Sequence, residues 1–305
     1  MKGPTIATIV LTYNEELHLE RCLKNAWAFS DEVYVVDSFS TDNTVALAQK
    51  NGAQVLQNVW ENSYAKQFNW ALANLPIQSD WILRLDADEY LSEELIDELK
   101  ERLAALEENI TGVVFPLRRV FLNKHIRRGI GTMNLLRVFR NGAGFCEQRW
   151  MDEHIRLKFG EAVKFRHEFA DHNLNGISWW TQKHNVYATR EAIDLLNTQY
   201  GLFEVAQSEG KMATHAGRKR SMKLLYAKSP LFVRSAIYFF YRYIFLLGFT
   251  EGKEAFLWHF LQGWWYRTLV DAKVYEVRRA CGNSPEKMRL YIRENFGIDV
   301  SKVLV

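Results

Sequence analysis

The first hundred residues alternate between short apolar runs and amphipathic stretches, and few folds tolerate that pattern. Ile6–Leu11, Glu32–Val36 and Trp81–Leu85 are near-continuous apolar runs, with Gln54–Leu56 a weaker fourth. Between them, Glu15–Ala28, Thr44–Asn51 and Tyr64–Ala73 have helical spacing. Strands that are apolar on both sides and alternate with helices imply βαβ units and a parallel sheet covered on both faces. The expected fold class is therefore α/β, Rossmann-like, with a mostly parallel central sheet. In such sheets ligands bind beyond the carboxyl ends of the strands. Three polar clusters fall there: Thr12-Tyr13-Asn14-Glu15, Asp37-Ser38 and Asp86-Ala87-Asp88-Glu89. Glu93–Leu106 predicts a further helix, and Gly112–Pro116, Arg119–Leu122 and Asn134–Phe139 predict strands or a hairpin.

Composition narrows the class. With 48% hydrophobic residues over 305 positions, the chain can bury a large core. Cys22, Cys146 and Cys281 lie far apart without CxxC spacing, which fits buried free thiols in a reducing compartment. The apolar run near the N-terminus is too short for a signal peptide and is expected to be a strand of a cytosolic-facing protein.

Asp86 and Asp88 follow a predicted strand at i and i+2, so their side chains point to the same side. Such a pair can hold Mg²⁺ or Mn²⁺ and, through it, a diphosphate. The alternative is a turn that caps the helix beginning near Ser92. Asp37, directly after a central strand, could accept hydrogen bonds from a ribose hydroxyl or a base N–H. Thr41 or Asp42 would cap the next helix.

The stretches Val10-Leu11-Thr12-Tyr13-Asn14-Glu15-Glu16, Val36-Asp37-Ser38-Phe39-Ser40-Thr41-Asp42-Asn43-Thr44 and Trp81-Ile82-Leu83-Arg84-Leu85-Asp86-Ala87-Asp88-Glu89-Tyr90 resemble the motifs of family 2 glycosyltransferases. Within that family they look most like bacterial enzymes of lipopolysaccharide core and exopolysaccharide synthesis. The resemblance implies a GT-A fold, an inverting mechanism and a nucleoside diphosphate sugar donor, most simply UDP-linked. It implies that Thr12, Tyr13 and Glu15 line the nucleotide site and that Asp37 contacts the base or ribose. It places Asp86 near the ribose and Asp88 on the metal. Lys66 stands where the family often has a basic residue near the nucleotide, although a solvated lysine fits equally well.

An inverting transfer needs a base for the acceptor hydroxyl and a Lewis acid for the departing diphosphate. Asp152 is the preferred base and Glu153 the second candidate, in reversed order from the family's usual Glu-Asp pair. His172 precedes Lys183-His184-Asn185-Val186-Tyr187-Ala188, a pattern resembling the same bacterial subgroup, and could complete the metal shell. His154 and His167 compete for that role. Lys183 and His184 could face the diphosphate or acceptor, or lie on a helix surface.

The net charge of +3 conceals an uneven distribution. Lys211–Thr250 holds eight basic residues and no acidic one, leaving 31 basic against 36 acidic residues elsewhere. The chain is thus expected to divide into a catalytic domain, residues 1–210, and a basic, aromatic helical region, residues 211–305. Leu231–Leu247 nearly has the length of a membrane span, but Arg234 and Arg242 inside it each oppose spanning by roughly 2.5–3.5 kcal/mol. On a helical wheel Arg234, Ser235, Tyr238, Tyr241 and Arg242 share an arc of about 120°. This suits an interfacial helix whose arginine tips reach headgroups, with Trp264 and Trp265 at the boundary and Arg218, Lys219 and Arg220 drawn to an anionic leaflet. The expected setting is the cytoplasmic side of a bacterial inner membrane, peripheral or monotopic, with a lipid-linked glycan as acceptor. A helical subdomain packed on the core or in an oligomer is the alternative. A long Phe/Leu/Ile helix is poorly suited to nucleic acid. Sugar nucleotidyltransferases share the α/β class but begin with a Gly-rich, Arg-containing loop where this chain has Thr12-Tyr13-Asn14-Glu15. A non-catalytic nucleotide-sugar scaffold is disfavoured by the intact acidic motifs.

Overall fold

The computed structural model describes residues 3–148, 150, 153–203 and 229–300, which form two compact units. The first unit comprises Met1–Ile126, Gly131–Gln148 and Glu153–Asn175, and the second Arg127–Ile130, Arg149–Asp152 and Gly176–Val305.

In the first unit the alternation yields β1 (Ile6–Thr12), α1 (Leu19–Ala26), β2 (Glu32–Asp37), α2 (Thr44–Lys50), β3 (Gln54–Gln57), α3 (Tyr64–Asn74) and β4 (Trp81–Asp86). Then follow β5 (Glu89–Leu91), α4 (Glu93–Arg102), β6 (Ile110–Phe121), β7 (Lys124–Ile126), β8 (Asn134–Arg140), β9 (Gly144–Cys146), β10 (Ile155–Leu157), β11 (Glu161–Lys164) and β12 (Phe169–His172). The main sheet runs β3-β2-β1-β4-β8-β6-β12-β5, with β7 and β11 on β6, and β9 pairs with β10 separately. The pairings among β1, β2, β3 and β4 are parallel, whereas β8 is antiparallel to both β4 and β6. The unit is thus a mixed α/β sheet whose β3-β2-β1-β4 half is parallel, as expected.

Side-chain alternation along β1 explains its near-continuous apolar run. Ile6 and Val10 join a cluster with Leu19, Leu23, Trp81 and Leu83, while Ala7, Ile9 and Leu11 join Tyr34, Phe68 and Phe139. Both faces are buried, so the strand is apolar apart from Thr8 and Thr12, whose hydroxyls pair with Ser30 and Asp37. The two strands expected at 112–122 are one, β6. Pro116, which lacks an N–H to donate, sits where β6 changes neighbour from β11 at Ile110–Val114 to β12 at Leu117–Val120. All three cysteines are buried and unpaired, and burial pushes the Cys146 thiol up to about 11.

In the second unit α5 (Ile177–Tyr200) shares its buried stripe with the helix Tyr266–Cys281. Ala188, Ala192, Ile193 and Leu196 meet Val270, Val274 and Val277, and Met288 and Ile292 of Pro285–Phe296 complete the cluster. Helix α5 therefore packs with the C-terminal region, in the unit that takes up the chain from Gly176. Lys183 lies over the rings of Trp179 and Tyr187, and His184 stacks on Trp180 at 3.4 Å.

The expected single helix over Leu231–Leu247 is Val233–Phe240 followed by a π-helical turn, Tyr241–Phe245. It stops at Leu247, whose φ is +59°. Of its polar arc Arg234, Ser235 and Arg242 face inward, while Tyr241 is exposed, which corrects the expectation that Arg234 and Arg242 reach headgroups. Arg234 is buried and donates to Asp271 from Nε at 2.8 Å and from Nη2 at 2.5 Å. Arg242 is buried and donates from Nε to the Gly129 carbonyl at 2.7 Å and from Nη1 to Gln262. A desolvated guanidinium needs such partners, and both are supplied from distant sequence positions. Trp264 and Trp265 are half-buried. Arg218, Lys219 and Arg220 lie outside the described residues. No helix among the described residues is long and apolar enough to cross a membrane.

His259 is fully buried beneath Gly129 and Gly248, where an added Cβ would come within 2.3 and 2.6 Å of its ring. Burial, and then the Arg242 guanidinium, push its imidazole down to about 4. The unfolded chain therefore takes up a proton near pH 6.5 that the folded chain refuses until about pH 4. This contribution to stability is present above the unfolded value and is lost as pH falls through that window. Thermal unfolding between pH 7 and 4 is expected to show a weaker pH dependence in His259→Leu than in the parent chain. Equal slopes would refute the buried neutral imidazole.

Candidate active site

The parallel register brings the polar clusters to one edge of the sheet. Thr12 lies opposite Asp37, Asp37 opposite Gln57, and Leu11 opposite Asp86. The loops beyond β1 and β2 are tied together by backbone-to-side-chain bonds. Asn14 N–H donates to Ser40 Oγ at 2.8 Å, and Thr41 N–H donates back to Asn14 Oδ1 at 2.8 Å. Glu15 N–H donates to Thr44 Oγ1 at 2.8 Å, and Glu16 accepts from the Asn43 amide side chain at 2.8 Å. Asn14 and Phe39 hold positive φ values of +54° and +60°, strain that this stitching sustains.

Asp37 is the hub of that edge. Its fully buried carboxylate accepts from Thr12 Oγ1 at 3.0 Å, Ser40 N at 2.9 Å, Ser40 Oγ at 2.5 Å and Gln57 Nε2 at 3.1 Å. Four donors saturate the two oxygens. These bonds make Asp37 the tie between the ends of β1 and β3 and the loop beyond β2. Tyr13 is exposed at the tip of the loop beyond β1. Glu15 is tied to His18, whose Nδ1 lies 2.6 Å from Glu15 Oε2 and whose Nε2 accepts from Leu174 N at 2.9 Å. These partners specify the Nδ1–H tautomer of a neutral imidazole. Lys66 pairs with Glu61 at 3.0 Å with both side chains largely exposed.

Asp86 sits between two arginines. Arg84 Nη2 donates to its Oδ1 at 3.2 Å, and Arg137 Nη2 lies 3.9 Å from its Oδ2. Arg137 also pairs with buried Glu89, which accepts from Asp86 N at 2.9 Å. Burial, outweighing Arg137, raises the Glu89 carboxyl. Arg84 and Arg137 were not singled out from sequence. An arginine inside the apolar strand Trp81-Ile82-Leu83-Arg84-Leu85 was the available signal, because a buried charge requires a nearby carboxylate.

Asp88 is held differently. Its Oδ2 accepts from Asn173 Nδ2 at 2.9 Å, and its backbone carbonyl accepts from His172 N at 3.0 Å. The β12–β5 pairing thereby sets His172 beside Asp88. Arg21 lies 3.1 Å from His172 Nδ1 and donates to its carbonyl at 2.6 Å, and Nε2 lies 2.8 Å from Asn123 Oδ1. Burial, followed by the charge of Arg21, pulls His172 below its ordinary value. Among the described residues no three His, Cys, Asp or Glu side chains could hold a metal by themselves. One carboxylate and one neutral imidazole nevertheless fit an ion that keeps positions for phosphate oxygens and water. His167 is engaged by Glu98 at 3.0 Å.

Glu153 is fixed by α3. Its Oε1 accepts from Ser63 Oγ at 2.7 Å and its Oε2 from Ala65 N at 3.0 Å. A carboxylate at a helix N-terminus is favourably placed against the helix dipole. Burial raises its carboxyl, opposed by those hydrogen bonds. Both oxygens are occupied, so Glu153 anchors α3. Asp152, the preferred base, lies outside the described residues.

The family profile of glycosyl transferase family 2 matches residues 8–160, half of the chain and nearly the whole sheet just described. The chain belongs to glycosyl transferase family 2. An uncharacterized glycosyltransferase of Rickettsia bellii is 26% identical over 90% of this chain and 88% of its own length. One from Rickettsia typhi is 29% identical over 63% of this chain and 68% of its own. Among solved structures, glucosyl-3-phosphoglycerate synthase from Mycobacterium tuberculosis, in complex with Mn²⁺, UDP and glucosyl-3-phosphoglycerate, is 23% identical over 38% of this chain. That match spans 44% of the synthase, with a TM-score of 0.32. As a member of this family the protein is a glycosyltransferase on a mixed α/β fold consistent with GT-A.

Proposed function

We propose that this glycosyltransferase is inverting and metal-dependent, moving a sugar from a UDP-linked donor to a hydroxyl of a lipid-linked glycan. The setting is lipopolysaccharide or exopolysaccharide synthesis at the cytoplasmic side of a bacterial inner membrane. The observation that carries the donor site is the alignment of Thr12, Asp37 and Asp86 at one sheet edge with Asp88 just beyond. Thr12, Tyr13 and Glu15 border the nucleotide, and Asp37 keeps their loop in place. Asp86, held by Arg84, faces the ribose. Asp88 and His172 would hold a divalent ion, which when bound supplies charge neutralisation for the departing diphosphate. Asn173 orients Asp88, and Arg21 holds the His172 ring and carbonyl.

Asp152 takes the proton of the acceptor hydroxyl as its oxygen attacks the anomeric carbon from the face opposite the diphosphate, which inverts the configuration. Glu153, bound to α3, positions the preceding residue. Asp152→Asn is expected to bind donor within about twofold of the parent and to lose transfer by about 10²–10⁴-fold. Calorimetry with UDP-sugars and Mn²⁺, paired with turnover, checks both halves. An inactive Glu153→Gln beside an active Asp152→Asn would reverse the two roles.

A further inference from the structure

We propose that one polar stripe of α1, formed by His18, Arg21 and Asn25, positions Asp88 and His172 to receive the divalent ion. This role rests on the metal reading given under the proposed function and adds three residues that act through others.

The stripe departs from the usual plan of an amphipathic helix. Leu19, Cys22, Leu23 and Ala26 of α1 face the core, as such a helix requires. His18 at the N-cap, Arg21 and Asn25 lie at i, i+3 and i+7, so they share a second face. Residues of these types ordinarily turn to water, yet His18 is buried and Arg21 and Asn25 are half-buried. All three bond to the two chain segments that carry Asp88 and His172.

Asn25 accepts from Leu91 N at 2.8 Å and donates from Nδ2 to the Leu91 carbonyl at 2.9 Å. Strand β5 is the last of the sheet and three residues long, and Asn25 pairs with its backbone as a further strand would. Arg21 Nη2 donates to the carbonyls of both Asp88, at 3.2 Å, and His172, at 2.6 Å. A single nitrogen thus joins the backbones of the two proposed metal residues, and the guanidinium carbon lies 4.9 Å from the centre of the Tyr90 ring. His18 Nε2 accepts from Leu174 N at 2.9 Å, while its Nδ1 lies 2.6 Å from Glu15 Oε2. The stripe therefore also ties the segment after His172 to the loop that follows β1.

Apolar packing would hold β5 against α1 without desolvating a guanidinium. What apolar packing does not fix is direction, which donor–acceptor geometry does. A metal-binding carboxylate has to be held within about 0.5 Å of its working position. A turn followed by an edge strand of three residues is too short to supply that by itself. Three directional ties along α1, at Leu91, at the Asp88 and His172 carbonyls and at Leu174, do supply it.

The test titrates Mn²⁺ into the full chain, alone and with UDP, and follows the electron paramagnetic resonance signal of the free ion. Arg21→Met keeps the length of the side chain without its donors and should weaken Mn²⁺ binding by about 10–100-fold. At saturating Mn²⁺ its kcat should stay at least about tenfold down, with KM for the donor within about threefold. Arg21→Lys still donates to the two carbonyls and should recover most of the Mn²⁺ affinity. His18→Leu should weaken Mn²⁺ binding by about tenfold. His18→Gln can accept from Leu174 N and donate to Glu15, and should remain within about threefold of the parent. Calorimetry of UDP without metal should give values within about twofold of the parent for both Arg21 variants, which shows them folded. Equal or tighter Mn²⁺ binding by Arg21→Met would overturn the role, because a guanidinium that only repels the ion produces that result. Loss of metal-free UDP binding, with no recovery in Arg21→Lys or His18→Gln, would overturn it too and leave the stripe a folding element. A parent chain that binds no Mn²⁺ in either condition overturns the metal reading together with this role. Binding by the parent and equally by Arg21→Met overturns this role alone.

Discussion

Asp88→Ala is expected to lower sugar transfer by about 10³-fold or more and to weaken Mn²⁺-assisted binding of UDP, with metal-free UDP binding little changed. The size follows from electrostatics. A Lewis acid at a departing diphosphate supplies several kcal/mol, and each 1.36 kcal/mol is about tenfold in rate. Asp88 is the carboxylate proposed for that position, and among the described residues its side chain is held by the neutral Asn173 amide, whereas Asp86 is already flanked by Arg84 and Arg137. His172→Ala should have a smaller effect, because its Nδ1 must first part from Arg21. Turnover at graded Mn²⁺, together with calorimetry of UDP with and without metal, measures both. Full activity in Asp88→Ala would remove the metal assignment.

The second large effect concerns stability. Asp271→Ala is expected to destabilise the helical unit by about 3–5 kcal/mol, since it strands the Arg234 guanidinium in the interior. Asp271 is fully buried and accepts from Phe232 N at 2.7 Å as well as from Arg234, so the substitution also leaves a backbone N–H without its acceptor. The double replacement Arg234→Met/Asp271→Leu removes the charge with its partner and should recover most of the loss. Hydrogen exchange over Tyr266–Cys281 and denaturant midpoints are the measurements. A single variant as stable as the parent would show that the pair is not sealed from water.

What was legible in the sequence follows from periodicity. Burial on both faces forces continuous apolar runs on β1, β2 and β4, so their positions and the polar clusters beyond them could be read directly. Asp86 and Asp88 were recognisable for the same reason: a strand that ends in acidic residues presents them at the sheet edge. Pairings across long separations were not legible. His172 meets Arg21 across 151 residues, and Arg234 meets Asp271 across 37. Neither leaves a local signature. The helical wheel correctly grouped Arg234, Ser235 and Arg242 on one arc, yet a wheel has no inside.

The sequence by itself determined the α/β class, the polar edge of the sheet and the family, because these rest on local periodicity and on motifs within a few residues of a strand end. Tertiary structure alone decided the use of the charged groups. It made Asp37 a saturated loop hub, tied Glu153 to a helix start, and turned two arginines inward. The physical reason is desolvation: a charged side chain goes wherever partners are available, and those partners come from elements that only folding brings together.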